Sequence, residues 1–373
     1  MAWYRHLVCL AAVTAVAAMA FAPDQRRKEE EETTQTLEIP PEPPGFITAE
    51  TRRLQFTISP LSAKGLLSQQ VRDALRAINR ANRRATVVKL RAFVAGSGDV
   101  RRVTSIVGET YGRRRGATVP ALTVVQVGGL PMTGAQVLIE ATAVARKETS
   151  PNGLVFISGQ AAASNDLIPR MGPLADKVLT DLATAVKAAG AGPGDVPSVS
   201  CFVSSLDDAA EVRSRFAAVY PKAALTYVQI QRAPVRSIVE CEAVAYPRQP
   251  VSEPFRLVNP DGLPKSPNYT QIAFVGAPRI VMTSGQLSFR YQDSDARLAF
   301  ERLGRTLNEA GVTFNDVFLS RGYPISQTLA DQVRRVRQEF YSKENPPAST
   351  MLPFEGLPAM EAGFSIEVLA AHK

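Results

Sequence analysis

The chain has 373 residues, 45% of them hydrophobic and 21% charged, with 43 Lys and Arg against 35 Asp and Glu for a formal net charge of +8. That length and balance allow two or three globular domains with real cores and exclude a largely disordered chain. Two histidines and three cysteines leave little from which to build metal or nucleophile chemistry.

In chain order, residues 1–22 come first. MAWYRHLVCLAAVTAVAAMAFA carries Arg5, an apolar run from Leu7 to Phe21 and a small-residue end at Ala20-Phe21-Ala22, which reads as a secretory signal peptide. The run falls short of the about 20 apolar residues that cross a bilayer, and an uncleaved anchor is the alternative. Cleavage would leave no membrane span and deliver the protein to the periplasm or the exterior. It would also remove Trp3, His6 and Cys9, leaving His372 as the single histidine beside Cys201 and Cys241. No Ser-His-Asp triad, Cys-His pair or His-based metal site assembles from that set away from the C-terminal tail. There is no P-loop, no GxGxxG and no metal-spaced ligand set, so the expectation is no cofactor and no metal. Residues 23–48, opening PDQRRKEEEETTQTLEIPPEPPG, read as a disordered tether rich in proline and glutamate.

After the tether a pattern recurs. ALTVVQVGGLP at 121–131, ALTYVQIQRAP at 224–234 and ASTMLPFEGLP at 348–358 are versions of one phrase. Each follows an amphipathic helix, a β-branched strand and a second helix, and each leads to a closing strand with a glutamate: VLIEATAVA, IVECEAVA and FSIEVLAA. The helical spacing runs through Val71, Leu75 and Ile78, then Val103, Val107 and Tyr111, in the first copy. Leu174, Val178, Leu182 and Val186, then Val212, Phe216 and Tyr220, serve the second. Ala296, Phe300, Leu303 and Leu307, then Leu329, Val333, Val336 and Phe340, serve the third, with Gly311 as a helix C-cap. A period near 100 residues predicts duplicated domains, since solenoid repeats run about 20 to 50 residues. The boundaries are 49–146, 147–249 and 250–373.

NGLVFISGQ, AAGAGPGDV, SVSCFV and ALTYVQIQRAPVRSIVECEAVA resemble the reactive-intermediate deaminase family, called Rid or YjgF-like and, in older usage, endoribonuclease L-PSP. SPNYTQ, TSGQ and EAGVTFNDV carry the same resemblance in the third copy, while the first is the most degraded, with ISPL in place of ISGQ. Together the matches span about residues 50 to 371. The resemblance implies an α+β fold of three β-α-β-α-β-β repeats, like chorismate mutase in architecture, closing as an intramolecular pseudo-trimer with sheets inside and helices outside. It also implies a monomer acting as its own trimer, with small-molecule clefts between repeats.

Carried over residue by residue, the resemblance places the family's carboxylate-binding arginine at Leu122, Leu225 and Ser349, none of them basic. A guanidinium fork has no substitute in leucine or serine. The water-positioning glutamate falls at Glu140, Glu242 and Glu367, the candidate catalytic set. For Glu140 and Glu242 a solvated or salt-bridged strand carboxylate stands beside the functional reading. Glu367 is favoured because its repeat also keeps Tyr269, Ser284 and Gly285, and Ser158 and Gly159 hold the matching positions of the second repeat. Arg232, inside the second phrase, is expected to be structural, and the basic residues of DQVRRVRQEF and of the GRRRG loop to be solvated surface rather than an RNA track. The expected function is therefore binding of a small metabolite in inter-repeat clefts, with imine or enamine deamination weak or lost. The alternatives are an active hydrolase for a substrate without a carboxylate and, less favoured, an RNA-binding or RNA-cleaving protein. Cys201 and Cys241 are expected on adjacent strands facing the helices, as two buried thiols, a cross-strand disulfide being the alternative.

Overall fold

The computed structural model describes residues 39–112, 118–165, 170–234 and 236–373. The predicted signal segment, most of the tether and most of the arginine loop lie outside the described residues. The first unit runs β1 (Phe46–Glu50), β2 (Leu54–Ile58), α1 (Leu67–Ala81), β3 (Ala85–Ala95), α2 (Arg101–Gly112), β4 (Ala121–Val127) and β5 (Val137–Ala145). The second runs β6 (Leu154–Ser164), α3 (Met171–Ala188), β7 (Ser198–Val203), α4 (Ala209–Val219), β8 (Ala224–Gln229) and β9 (Ser237–Ala245). The third runs β10 (Phe255–Val258), β11 (Ile272–Val275), β12 (Arg279–Thr283), β13 (Gln286–Phe289), α5 (Asp293–Glu309), β14 (Val317–Pro324), α6 (Gln327–Arg337), β15 (Ala348–Met351) and β16 (Ala362–His372).

One strand order appears three times: β2-β5-β3-β4, β6-β9-β7-β8 and β12-β16-β14-β15. In each, the last two strands pair in parallel and the others antiparallel. The apolar faces explain the helices. Val71, Leu75 and Ile78 of α1, Val178 and Leu182 of α3 and Phe300, Leu303 and Leu307 of α5 are fully buried against the sheet of their own unit. Gly311 ends α5 at φ +74, a conformation open to glycine, with Val312 N donating to the Leu307 carbonyl.

The opposite sheet faces do not close on their own unit. One core joins Leu54, Phe156, Phe318 and Leu369, and another joins Phe93, Phe202, Tyr323 and Phe354, so that both draw on all three units. Phe202 sits edge-on to Phe93 at 5.9 Å and to Phe354 at 5.6 Å between ring centres.

Three expectations need correction. Residues 46–48, assigned to the tether, belong to β1, which pairs with β12 of the third unit, and Pro40 and Pro41 lie against Gly108 and Gly112 of α2. Residues 255–275, assigned to the third repeat, form a hairpin whose β11 pairs with β6 and extends the second sheet. Gly153, at φ +99 in the tight turn into β6, makes this possible: a Cβ there would collide with the Val275 carbonyl oxygen. Cys201 and Cys241 are joined as a disulfide rather than left as thiols. They face each other directly in the β7–β9 register, Cα to Cα 4.1 Å, within the helix-side core.

Candidate functional site

The three strand glutamates share the sheet face that points away from the helices. In register, Glu140 lies opposite Arg91, Glu367 opposite Arg321, and Glu242 opposite Ser200. The second unit thus supplies an acid with no base of its own, and its neighbours supply two. Arg91 reaches Glu242 at 2.7 Å and Glu140 at 2.6 Å, and Arg321 reaches Glu242 at 2.9 Å and Glu367 at 3.4 Å. Lys89 pairs with Glu367 at 2.7 Å, and Tyr323 and Thr123 donate to the same carboxylate. Burial alone would raise the Glu242 carboxyl, but Arg321 and Arg91 outweigh it and hold it at about 2. For Glu367, Lys89 and then Arg321 outweigh burial and hold the carboxyl well below its ordinary value. The space among these residues is about 50 Å³, room for waters rather than a metabolite. A carboxylate so firmly ionised is a weak base near neutral pH.

Tyr269 lies elsewhere, so the expected grouping of Tyr269, Ser284, Gly285 and Glu367 in one cleft does not hold. Ser284 accepts from Leu122 N at 2.9 Å, and Gly285 packs beside Thr123 and Ser365, close to Glu367 through Thr123. Ser158 makes the equivalent junction between the second and third units: it accepts from Ser349 N at 2.9 Å and donates to the Thr270 carbonyl at 2.6 Å. Ser59, of the ISPL sequence, accepts instead from Ile139 N of its own unit. Leu225 is half-buried against the second unit's core.

Around the Ser158–Ser349 junction lies a cavity of about 440 Å³, the size of a small-ligand pocket. Its polar wall includes Tyr269, Ser349, Arg334, Arg337 and Glu240, and its apolar wall Ile230, Ile238, Met351 and Leu352. The β6 bulge between Ile157 and Gln160 contains Gly159, where a Cβ would meet the Glu240 carboxyl. Glu240 is nearly buried and makes no hydrogen bond or ion pair among the described residues. Burial first, and the Glu242 charge second, push its carboxyl up to about 8, so it is mostly the neutral acid at pH 7. Burial and then Glu240 raise the Tyr269 hydroxyl.

Glu240 and Arg337 escaped the sequence reading. Glu240 precedes Glu242 by two residues in IVECEAVA, on the same strand face, but the matching positions opposite Phe93 and Tyr323 are Leu138 and Ser365. Arg337, read as solvated, is 4% exposed. Arg232 pairs with Glu355 at 2.8 Å, outside the cavity. Among the described residues no group of three His, Cys, Asp or Glu could hold a metal ion, and no helix is long and apolar enough to cross a membrane.

Comparison with known proteins adds a lineage. No curated protein matches the sequence. Solved structures similar to it include a Rid-family protein of unknown function, YyfB, from Yersinia pestis, 20% identical over 32% of this chain and 100% of that one, at a TM-score of 0.30. Rv2704 from Mycobacterium tuberculosis, of the YjgF/YER057c/UK114 family, is 22% identical over 32% of this chain and 99% of its own, at 0.24. TdcF from E. coli, with bound serine, is 19% identical over 26% and 83%, at 0.24. The endoribonuclease L-PSP family model matches twice, at residues 147–250 and 263–372, leaving the first unit outside both matches. Two matches spanning more than half of the sequence make this chain a member of the endoribonuclease L-PSP family, the Rid/YjgF-like proteins.

Proposed function

We propose that the protein is a metabolite-binding pseudo-trimer: its three units form a ring within one chain, and a small molecule occupies the cavity between the second and third units. The repeated strand order and the two cores shared by all three units support the ring. The observation that carries the function is Glu240, a nearly buried carboxyl without a partner among the described residues, facing a cavity of ligand size. Imine hydrolysis of the kind the family resemblance implies is weak or absent, because Ser349 holds the arginine position and Glu140, Glu242 and Glu367 are held in ion pairs. The buried disulfide is of the kind that persists in an oxidising compartment, which favours a protein that works outside the cytoplasm.

One observation favours a second reading, an active imine or enamine hydrolase. A carboxyl at about 8 is matched to proton transfer near neutral pH. A coupled assay with freshly generated 2-iminobutanoate separates the two. The binding reading expects turnover far below that of an arginine-bearing family member. Comparable turnover, lost in Glu240→Gln, overturns it in favour of the hydrolase.

A further inference from the structure

The positive charge of the chain is not spread over it. Residues 147–249 hold 10 Lys and Arg against 10 Asp and Glu, and residues 250–373 hold 13 against 13, so the second and third units are neutral. Residues 49–146 hold 16 against 5, and 14 of the 16 are arginine. The excess therefore sits on the first unit, the one outside both family matches.

Much of it gathers on one side of α1. Arg76, Arg80, Arg83 and Arg84 follow its exposed face to the C-terminal end, away from the buried stripe of Val71, Leu75 and Ile78. The five acids of the unit already have cations: Asp73 meets Arg76, Glu109 meets Arg72, Asp99 meets Arg101, Glu50 meets Arg53 and Glu140 meets Arg91. Lys64, Arg80, Arg83 and Arg84 have no acidic partner among the described residues. At the other end of α1 the chain exposes apolar groups. Leu66, at the N-cap, is 78% exposed and Met132 is 43% exposed. Gln70 ties their two loops together by donating to the Gly65 and Gly134 carbonyls. A groove of about 210 Å³, lined by Ser62, Arg76 and Arg80 among others, joins this end to the arginine stripe.

Large apolar side chains held in water gain by entering a bilayer interface, and the guanidinium fork matches the phosphates found there. A nucleic acid suits the face less well. It would leave Leu66 and Met132 in water, and no aromatic side chain of this unit is exposed among the described residues to stack on a base. We propose that this face of the first unit docks on an anionic phospholipid bilayer, with Leu66 and Met132 among the headgroups and the α1 arginines on their phosphates. The cavity between the second and third units plays no part in this contact.

Vesicle co-sedimentation tests it, on the chain from Pro23, which keeps every helix, strand and core of the fold. Phosphatidylcholine vesicles are compared with mixed phosphatidylcholine and phosphatidylglycerol vesicles, and wild type is expected to bind only the mixed ones tightly. Each basic residue at such a surface multiplies affinity about fivefold. Arg80→Gln, Arg83→Gln and Arg84→Gln together are therefore expected to weaken binding about 100-fold. Arg279→Gln, Arg302→Gln and Arg305→Gln, which remove as many exposed charges from the neutral third unit, are expected to leave it within about twofold. Leu66→Ser with Met132→Ser is expected to weaken it about tenfold. Every altered side chain is exposed, so the variants fold as wild type does. Equal affinity for the two kinds of vesicle, or none for the mixed ones, overturns the proposal. So does equal weakening by the two arginine triples, which would make the effect one of net charge, and so does unchanged binding by the Leu66 and Met132 variant. Tighter binding to a DNA duplex than to the mixed vesicles overturns it in favour of a nucleic-acid face.

Discussion

Glu240 and Glu242 stand two residues apart on one face of β9 and are driven in opposite directions. Glu242 meets Arg91 and Arg321, whereas Glu240 meets no cation within pairing distance among the described residues. Folding therefore favours the charged form of one and the neutral form of the other. With Glu240 raised from 4.5 to about 8, the folded chain binds the extra proton, and that contribution to stability is present at low pH and lost as pH rises through about 8. Converted at about 1.4 kcal/mol per unit, the effect is at most about 5 kcal/mol. Glu240→Gln removes the titration. The variant is expected to match wild type in thermal unfolding at pH 4, below the unfolded carboxyl's 4.5, and to exceed it in Tm by a margin that grows up to about pH 8 and then holds at pH 9, and equal midpoints at pH 4 and pH 9 would contradict a buried neutral acid. The period of two in the sequence placed these side chains on a common face, yet it could not rank them. Comparing the repeats promoted the glutamate that recurs three times, and recurrence marked the ion-pair network that ties the units together. The carboxyl facing the cavity sits where the repeats differ, against Leu138 and Ser365.

At the scale of elements, the helices were the most legible part, because their apolar spacing depends only on local sequence: the positions expected to be buried in α1, α3 and α5 largely are. Partners across the sheet are set by register, which two distant strands do not reveal. The cysteines show the consequence. Alternation put Cys201 and Cys241 on the helix side, but only the β7–β9 pairing puts them directly opposite one another. Non-reducing peptide mapping of the full chain is expected to recover a linked pair of peptides containing Cys201 and Cys241, and alkylated thiols at both positions would refute it. Cys201→Ala with Cys241→Ala is expected to lower stability by about 2 to 4 kcal/mol in chemical denaturation, the usual range for a bridge closing a loop of this kind. Glu240 and Glu242 flank Cys241, so the bridge also steadies the strand that presents the cavity's acid.

For the molecule as a whole, duplication was legible from three versions of one phrase, but the exchange of edge strands was not, since a β-strand carries no mark of the sheet it joins. β1 of the first unit closes the edge of the third sheet, and the β10–β11 hairpin of the third unit extends the second, with β10 as its edge. Ala49 sits in the core shared by the three units, with Ile47 packed against it, and Phe46 packs on the third unit's own core. Damage to β1 should therefore appear far away in sequence. Replacing residues 46–50 with a Gly-Ser stretch removes the backbone ladder to β12 and this apolar packing together. Hydrogen exchange is expected to accelerate at Arg279–Thr283, more than 200 residues downstream, while β3 and β5, paired within the first sheet, keep their protection. Loss of protection confined to the first sheet would show that β1 belongs there. Light scattering on the same samples tests the proposed ring: wild type is expected at the mass of one chain, because two apolar cores already join the sheet faces of all three units. If opening the β12 edge instead brings two chains together, the exchanged strand also keeps that edge from pairing with another molecule.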